Sequence, residues 1–374
     1  MYIKKRKMII KSMLGGMIGC LLCVTATAAN KINRDSVLKV MNQVAAWQMN
    51  EWKEGRIIKL PKTEWENGAM YTGFIALKQL DKQPIYDQFL YNIGEELNWN
   101  TGKNRLFADD YVIAQMYTAM YMEHKEPKMI AKWQALADTI VNRPFNESLE
   151  VVPNINHREW AWCDALFMGP PGMAMLSKAT GDMKYLKKAD SLWWKTSNYL
   201  YDKKEKLYYR DSRFFTKKEA NGKKVFWSRG NGWVLAGLAR MMDNMPNDFE
   251  NRSKYQKQFK EMAKKIASIQ QPDGSWHASL YDPITFNLKE SSGTAFFCYG
   301  IAWGINQGLL SKEKYLPIVE KAWGALISSV HANGKLGYVQ PIGDKPVKVG
   351  SESTDVYGVG AFLLAGAELY KLYK

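Results

Sequence analysis

Histidine and cysteine are scarce in this chain of 374 residues, which has four of each. Two of the cysteines, Cys20 and Cys23, belong to an N-terminal leader. Only Cys163 and Cys298 then remain, which excludes a disulfide framework. The histidines are isolated from one another and from the cysteines, so the spacings typical of zinc ligands are missing. The sequence therefore predicts no metal site.

Long hydrophobic runs are also missing from the chain. Residues 1–29 combine a basic segment, an apolar segment too short to cross a bilayer and a final group of small residues, which is the pattern of a signal peptide. We expect cleavage after Ala29, export to the periplasm without a membrane anchor, and a single domain over residues 30–374. The alternative is a lipoprotein acylated on Cys20, although the residues before it match a lipobox poorly.

The chain has no nucleic-acid signature despite a formal net charge of +15. Five basic residues lie in the leader, and their removal leaves +10. The remaining lysines are scattered, as in residues 217–224, which favours a solvated surface over a nucleic-acid-binding patch. A basic surface also favours an anionic partner such as an acidic saccharide, and we expect no nucleic-acid partner.

An internal repeat is the most informative feature of the sequence. Six times, a short polar or aromatic cluster is followed by an apolar segment rich in glycine and alanine. Such a segment is typical of a helix that is buried on all sides. The six segments are 66–80, 108–121, 159–176, 227–242, 290–306 and 352–370.

Helices with one charged face lie between these segments, since their apolar residues recur at i, i+3 and i+4. They span about 35–52, 83–97, 127–142, 184–200, 254–270 and 313–330. Six buried helices with six amphipathic helices around them predict an all-α (α/α)6 toroid, because closure of the ring buries the ends that a stack of hairpins exposes. The alternative is an open array of helical repeats.

The polar clusters open the inner helices, so a closed ring gathers them at one mouth, where a concave site is expected. Aromatic rings there suit the C–H faces of a sugar, and guanidinium groups suit a sugar carboxylate. The candidates for substrate binding are Asn67, Trp160, Met168, Arg210, Arg213, Trp227, Arg229, Trp233 and His277.

Asp164 is the candidate general acid. It lies in a segment of Trp, Leu, Phe and Met, and burial raises the pKa of a carboxyl so that it keeps a proton near neutral pH. Asp109 and Asp110 open the preceding inner helix, where the helix dipole favours carboxylates as anions. One of them can orient a water molecule while the other caps the helix, and their spacing does not distinguish them. The structural alternative for Asp164 is a carboxylate satisfied by backbone groups or by Arg229.

Two short motifs complete the predicted mouth. Pro170 and Pro171 cannot lie inside a regular helix, so we expect them, with Gly169, to end or bend the inner segment after Asp164. The string WSRGNGW has two glycines that permit close approach and two tryptophans that can flank a pocket around Arg229.

Four of these strings together resemble the unsaturated rhamnogalacturonyl hydrolases of glycoside hydrolase family 105 and, next, the unsaturated glucuronyl hydrolases of family 88. The strings are ADDYVIAQMY, WAWCDALFMGPP, WSRGNGWVLAGLARMM and ESSGTAFFCYGIAWGI. The resemblance extends over essentially the whole mature chain. The fold of this family is an (α/α)6 barrel, in agreement with the ring predicted from the repeats.

The resemblance implies that the protein removes a 4,5-unsaturated uronic acid from the non-reducing end of oligosaccharides made by a polysaccharide lyase, above all of the rhamnogalacturonan type. An acid similar in position to Asp164 protonates C4 of the vinyl ether, water adds at C5, and the hemiketal opens and expels the remaining saccharide. Asp109 or Asp110 resembles the second aspartate of the family. The other positions that match the family pocket are Met168, Trp227, Arg229 and Trp233. The resemblance implies no metal and no organic cofactor.

One departure concerns substrate recognition. Many members of the family have a histidine in the aromatic segment before WSRGNGW, where this chain has YYRDSRF. Arg210 or Arg213 then becomes the candidate for binding the uronate, and an unsaturated disaccharide other than rhamnogalacturonan is an alternative substrate. The alternative functions are another (α/α)6 carbohydrate enzyme, either an inverting glycosidase or a polysaccharide lyase, and a saccharide-binding protein without activity.

Overall fold

The computed structural model describes residues 32–56, 61–102, 107–152 and 159–373. The predicted leader and its cleavage position lie outside these residues. Within them the chain is mostly α-helical, with one short antiparallel hairpin. The helices are α1 (Arg34–Lys53), α2 (Trp65–Leu80), α3 (Pro84–Glu96), α4 (Ala114–His124), α5 (Lys128–Asn142), α6 (Ala165–Met168), α7 (Pro170–Thr180), α8 (Met183–Leu200), α9 (Ser228–Asn244), α10 (Arg252–Ala267), α11 (Ser291–Asn306), α12 (Lys312–Ile327) and α13 (Val356–Leu372).

Six of these helices form a closed inner ring. Each packs on the next in the order α2, α4, α7, α9, α11 and α13, and α13 packs back on α2. Of the other long helices, α3, α5, α8, α10 and α12 pack on the inner helices next to them in the chain, whereas α1 packs on α13. The described residues therefore form the predicted (α/α)6 toroid, and the open array is wrong.

The two helix types differ in burial as the repeats predict. In α13 every residue from Val356 to Leu369 is buried. In α10 the buried residues, among them Tyr255, Phe259 and Ile266, follow one face, and lysines occupy the exposed face. An apolar circumference thus places a helix in the inner ring, and a charged face places it outside.

Two glycines permit the closure between α2 and α13. A Cβ atom added at Gly73 would lie 2.4 Å from the carbonyl oxygen of Gly360, and one added at Gly360 would lie 2.5 Å from the carbonyl oxygen of Ala69. Interiors are close-packed, so no room exists for these atoms without separation of the two helices. The small residues of the repeats are therefore needed where the ring closes.

The segments before the inner helices form the mouth of the ring. β1 (Tyr201–Asp202) and β2 (Leu207–Tyr208) make the one hairpin of the described residues, and it precedes α9. Elsewhere in the described residues the pairing is limited to isolated bridges, such as Trp227 with Ser279. These short pairings hold the mouth segments close to the ends of the inner helices.

The two prolines interrupt the inner segment after Asp164, but they do so by starting a helix. α6 ends at Met168, and Pro170 and Pro171 occupy the first turn of α7. Proline is well tolerated there because the first N–H groups of a helix have no intrahelical acceptor. Asp164 consequently lies at the start of a single helical turn, separated from the long helix behind it.

Candidate active site

A cavity of about 220 Å³ opens at the mouth. Its lining comes from the starts of α2, α4 and α6 and from the segments that precede α9 and α13. The lining residues are Trp65, Asp109, Trp162, Asp164, Met168, Arg210, Ile342, Gly343 and Asp344. Three carboxyl groups, one guanidinium and two indoles therefore share one small space.

Asp164 lies at the N-terminal boundary of α6 and is 8% exposed. Its Oδ2 lies 3.4 Å from Nε of Arg210 and accepts a hydrogen bond of 3.5 Å from Sγ of Cys163. Burial raises the pKa of Asp164, and the positive charges of Arg210 and Arg229 oppose this rise. The direction agrees with the predicted acid, although the neighbouring guanidinium favours the ionised form.

Asp109 lies in a 3-10 helix (Ala108–Tyr111) that precedes α4. Its Oδ1 is buried without a hydrogen-bond partner. Burial, reinforced by the negative charge of Asp164, raises the pKa of Asp109 to about 8. The sequence predicts an anion at this position, whereas the raised pKa favours the protonated form in the free protein, because the cost of burying the charge opposes the benefit of the helix dipole.

Asp110 has different surroundings from Asp109. It does not line the cavity, and its backbone carbonyl accepts a hydrogen bond from the N–H of Gly102. Neither aspartate caps a helix through its side chain, contrary to the prediction that one of them does. The geometry therefore favours Asp109 over Asp110 as the partner of Asp164.

Arg210 is held from behind by a buried carboxylate. Its Nη1 lies 2.8 Å from Oδ2 of Asp211, which is fully buried. Asp211 also accepts hydrogen bonds from Nε and Nη2 of Arg213, and the same Nη2 lies 2.8 Å from Oδ2 of Asp344. Arg210 is thus directed into the cavity, whereas Arg213 lies at the rim and closes a bridge to the opposite loop.

Arg229, which we predict to bind substrate, is fully buried and committed to the protein itself. Its guanidinium lies between the rings of Trp227 and Tyr357, 4.6 and 4.7 Å from their centroids. Its two terminal nitrogens donate hydrogen bonds to the carbonyls of Gln340, Pro341 and Gly343 and to the hydroxyl of Tyr357. Arg229 therefore supports the loop that brings Ile342 and Asp344 to the cavity.

The predicted tryptophans pack behind the cavity rather than line it. Trp160 is fully buried, and its carbonyl accepts a hydrogen bond from Thr196. Trp233 packs against Phe296 with 4.1 Å between ring centroids. Nε1 of Trp227 donates to the side chain of Gln340 at 3.1 Å. These residues build the wall of the site.

Asn67 and His277 also lie outside the cavity lining. Nδ2 of Asn67 donates to the carbonyl of Pro61 at 3.0 Å. The ring nitrogens of His277 lie 3.1 Å from the carbonyl of Pro283 and 3.7 Å from the carboxylate of Asp273. Both side chains thus stabilise segments around the mouth, and of the predicted binding residues only Met168 and Arg210 line the cavity itself.

Sequence analysis misses five lining residues, namely Trp65, Trp162, Ile342, Gly343 and Asp344. Trp65 stacks on Tyr357 with 5.1 Å between ring centroids, and Trp162 packs against Phe107 with 5.3 Å between ring centroids. Both tryptophans carry a signal in the sequence, because each lies beside the start of a repeat. Loop 340–344 carries no such signal in the sequence, because it lies between an aromatic turn and the last repeat.

Within the described ranges, no three His, Cys, Asp or Glu side chains are grouped in a way that could hold a metal ion. Cys163 and Cys298 are both buried as free thiols. No helix in the part of the chain that the structure describes combines the length and the apolar character that a bilayer crossing needs.

The closed ring of helices and its acidic, aromatic mouth define a carbohydrate-active enzyme of the (α/α)6 class. The sequence model of Glycosyl Hydrolase Family 88 matches residues 40–373, so the chain belongs to this family and is a glycoside hydrolase, as predicted. A relative from Formosa agariphila, named unsaturated 3S-rhamnoglycuronyl hydrolase, is 39% identical over 333 residues, which are 86% of this chain and 88% of that protein.

Solved structures agree with this assignment. A family 88 glycosyl hydrolase from Bacteroides vulgatus is 32% identical with a TM-score of 0.82, over 91% of this chain and 99% of the other. A structure described as a polysaccharide lyase is 33% identical with a TM-score of 0.82, over 91% and 98% of the two chains. Possible members of family 105 share the fold alone, at 19% and 18% identity. The predicted relationship to families 105 and 88 is confirmed, and family 88 is the family whose model matches.

Proposed function

We propose that this glycoside hydrolase removes a 4,5-unsaturated uronic acid from the non-reducing end of oligosaccharides that a polysaccharide lyase has produced. The observation that supports it most is the convergence of Asp109, Asp164 and Arg210 on a cavity of about 220 Å³, which suits a single terminal sugar. Membership of family 88 supports the same reaction. The substrate is thus an anion with one reactive double bond.

The chemistry of the double bond decides which groups are needed. An ordinary glycosidase places two carboxyls on opposite sides of a scissile bond. Hydration of a vinyl ether instead needs one proton donor and one positioned water molecule. The donor transfers a proton to C4, water adds at C5 of the resulting oxocarbenium-like state, and the product is a hemiketal. Opening of the hemiketal breaks the bond from C5 to the ring oxygen, and C1 then expels the remaining saccharide.

The lining residues can be assigned to these roles. Asp164 is the donor to C4, and Asp109 accepts the proton of the attacking water molecule. The guanidinium of Arg210 binds the carboxylate of the unsaturated sugar, because it is the single cation among the lining residues. The indoles of Trp65 and Trp162 offer faces on which the sugar ring can stack.

We further propose that the leaving sugar is rhamnose. The relative named unsaturated 3S-rhamnoglycuronyl hydrolase couples an unsaturated uronyl group with rhamnose in its name, and it is 39% identical to this chain. Rhamnogalacturonan fragments, the substrate class predicted from the sequence, have the same leaving sugar. Both substrates therefore belong in the first test.

One assay separates this function from its alternatives. The purified protein is incubated with lyase digests of rhamnogalacturonan, ulvan, glycosaminoglycan and gellan, and the ultraviolet absorbance of the conjugated double bond is followed together with reducing ends. Removal of the unsaturated sugar lowers the absorbance. New reducing ends at constant absorbance would indicate an ordinary glycosidase, and binding without either change would indicate a saccharide-binding protein.

A polysaccharide lyase is the second candidate, because one of the most similar solved structures is described by that name. A lyase creates double bonds, so its action on an undigested polysaccharide raises the absorbance. We expect no rise with any of the four parent polysaccharides. A rise with one of them would replace the proposed hydrolase.

We propose also that the protein is exported to the periplasm after cleavage at Ala29, with residues 30–374 as the mature chain. The support is the signal-peptide pattern of residues 1–29. N-terminal sequencing of protein recovered from a periplasmic extract should begin at Asn30. A chain that keeps Met1, or one that carries a lipid on Cys20, would contradict the proposal.

A further inference from the structure

The two contacts of Arg210 with carboxylates differ in kind. Its Nη1 lies 2.8 Å from the buried carboxylate of Asp211, whereas its Nε lies 3.4 Å from Asp164 and has no hydrogen-bond partner. Direct charge-assisted hydrogen bonds have lengths of about 2.7–2.9 Å. Asp211 therefore anchors the guanidinium, and Asp164 is a looser partner that a better-placed carboxylate can replace.

The charges around the cavity decide where a proton resides in the free protein. Among the groups that act on the carboxyls of Asp109 and Asp164 are the charged Asp110, Arg210 and Arg229 and the thiol of Cys163, and the carboxyl of Asp344 also lines the cavity. Two carboxyls in one small cavity repel each other when both are ionised, so near neutral pH the pair holds one proton. The guanidinium next to Asp164 draws the negative charge to that residue, and the pKa of about 8 at Asp109 retains the proton there.

This distribution is opposite to the one that the reaction needs, since Asp164 must donate. We propose that Arg210 changes partners when the substrate binds: it leaves Asp164 for the carboxylate of the unsaturated uronate, and Asp164 then takes the proton from Asp109. The inference rests on the proposed function and deepens it. Arg210 is in this scheme both a binding residue and a positioning residue, because it withholds the acid until the correct anion occupies the cavity.

The proton transfers balance over one turnover. The free enzyme has a neutral Asp109 and an ionised Asp164, and the substrate complex has the reverse. Asp164 gives its proton to C4 and becomes a carboxylate, while the water molecule that adds to C5 gives a proton to Asp109. After the product leaves, Arg210 returns to Asp164, and the starting state is restored without any further proton donor.

The test compares an unsaturated uronyl disaccharide with its methyl ester, which has no carboxylate to draw Arg210 away. With the wild-type protein, we expect the ester to lose at least about tenfold in kcat, since Asp164 stays ionised and general acid catalysis is lost. If Arg210 only held the substrate carboxylate, KM would be higher for the ester than for the acid. The kcat for the ester would then be lower than that for the acid by no more than the ratio of their non-enzymatic rates of acid-catalysed hydration. That outcome would overturn the exchange.

The substitution Arg210→Gln gives a second measurement. Without the guanidinium, Asp164 keeps a proton whether or not a carboxylate is bound, so the ratio of kcat for ester and acid should rise at least about tenfold above the wild-type ratio. An unchanged ratio would contradict the inference. Arg210→Lys, which keeps the charge, should retain the low ratio. If Arg210→Gln fails to fold, as judged by circular dichroism, the comparison of acid and ester with the wild-type protein decides the inference.

Arg213→Gln is the matched control, since Arg213 also contacts Asp211 but lies outside the cavity lining. It should keep the wild-type ratio of ester to acid. Failure of the exchange and failure of the proposed function are distinguishable. If the wild-type protein does not hydrate the acid disaccharide at all, the proposed function is wrong; if it hydrates acid and ester with equal kcat, only the exchange is wrong.

Discussion

The two ends of the toroid both contain charged cavities, but their charges are satisfied differently. At the end away from the mouth, a cavity of about 330 Å³ is lined by later parts of all six inner helices. There Glu368 accepts hydrogen bonds from Lys371 at 2.5 Å and from Asn306 at 2.8 Å. Asp243 accepts one from Nε1 of Trp303 at 2.8 Å. The charged groups that line this far cavity thus have partners within the protein.

At the mouth, by contrast, two charged groups keep unused hydrogen-bonding atoms. Oδ1 of Asp109 and Nε of Arg210 are both buried without a hydrogen-bond partner. Buried polar atoms without partners are rare in folded proteins and call for an explanation such as a ligand site. The comparison teaches that charge in a cavity does not by itself mark a site, and that the unsatisfied atoms are what distinguish the mouth cavity from the cavity at the far end.

The largest difference between the two ends should appear when one carboxyl is neutralised at each. Asp164→Asn should lower kcat/KM by about 10²-fold or more, because the donor to C4 is lost. Asp243→Asn, the matched change at the far end, should keep kcat/KM within about threefold, since it touches no reacting group. Both values come from the loss of ultraviolet absorbance with the unsaturated disaccharide. Equal losses in the two variants would refute the assignment of the mouth as the active site.

A smaller effect is expected from the arginine that supports the wall of the mouth. Arg229→Gln should lower the free energy of unfolding by about 2–4 kcal/mol, because buried acceptors of loop 340–343 lose their donors. The same variant should raise KM as the loop loses its support. Arg213→Gln at the half-exposed rim should cost less than about 1 kcal/mol. Urea denaturation measures both, and a smaller loss for Arg229→Gln than for Arg213→Gln would contradict the structure.

The contact of α2 with α13 closes the ring and forms part of the wall between its two ends, and a substitution at this contact tests its contribution to stability. Gly360→Ala should lower the free energy of unfolding by about 1–3 kcal/mol, because the added methyl group meets the backbone of Ala69 and Met70. Gly324→Ala is the matched control in α12, where nothing lies within 4 Å, and it should be neutral or stabilising. Activity per folded molecule should change in neither. Thermal unfolding measures the stability of both variants, and an equal change in the two would contradict this explanation.

A more gradual effect is a pH dependence of stability that comes from Asp109, because it is spread over the window between the unfolded and folded pKa values of this residue. Its pKa is about 8 in the folded protein and about 3.9 in an unfolded chain, so the folded state binds this proton more tightly. The stabilisation is complete below about pH 4 and is lost as the pH rises to about 8, by at most about 1.4 kcal/mol per pH unit. Asp109→Asn should remove this slope. Urea denaturation of both proteins across that window checks it, and identical slopes would contradict the raised pKa.

The fold could be predicted from the sequence because its signal is distributed over the whole chain. Helices that are apolar on all sides, such as α11 and α13, have one place in a water-soluble architecture, and six of them fix the ring. The place of Asp164 in the cavity lining could be predicted for a related reason, since a carboxyl in an apolar segment is costly to bury without a compensating role.

The details of the site could not be predicted because they depend on partners distant in the sequence. Arg229 looks like a binding residue until its acceptors in loop 340–343 are seen. The helix dipole predicts an anion at Asp109, but burial in the tertiary structure, reinforced by the nearby charge of Asp164, raises the pKa of Asp109 and outweighs the dipole. Trp160 illustrates the same point, since nothing local places its ring in the core rather than in the cavity.

The contact of α13 with α2 also sets the order in which the enzyme can become active. The cavity takes residues from Trp65 in the early part of the described chain to Asp344 in the late part, and α13, which follows all the other described helices, is the one that closes the ring. Contacts between such distant segments form late, after most of the chain is available. A nascent chain that stops before Val356 lacks the wall that supports the mouth, so we expect hydrolysis to begin only after α13 has been made and has packed on α2.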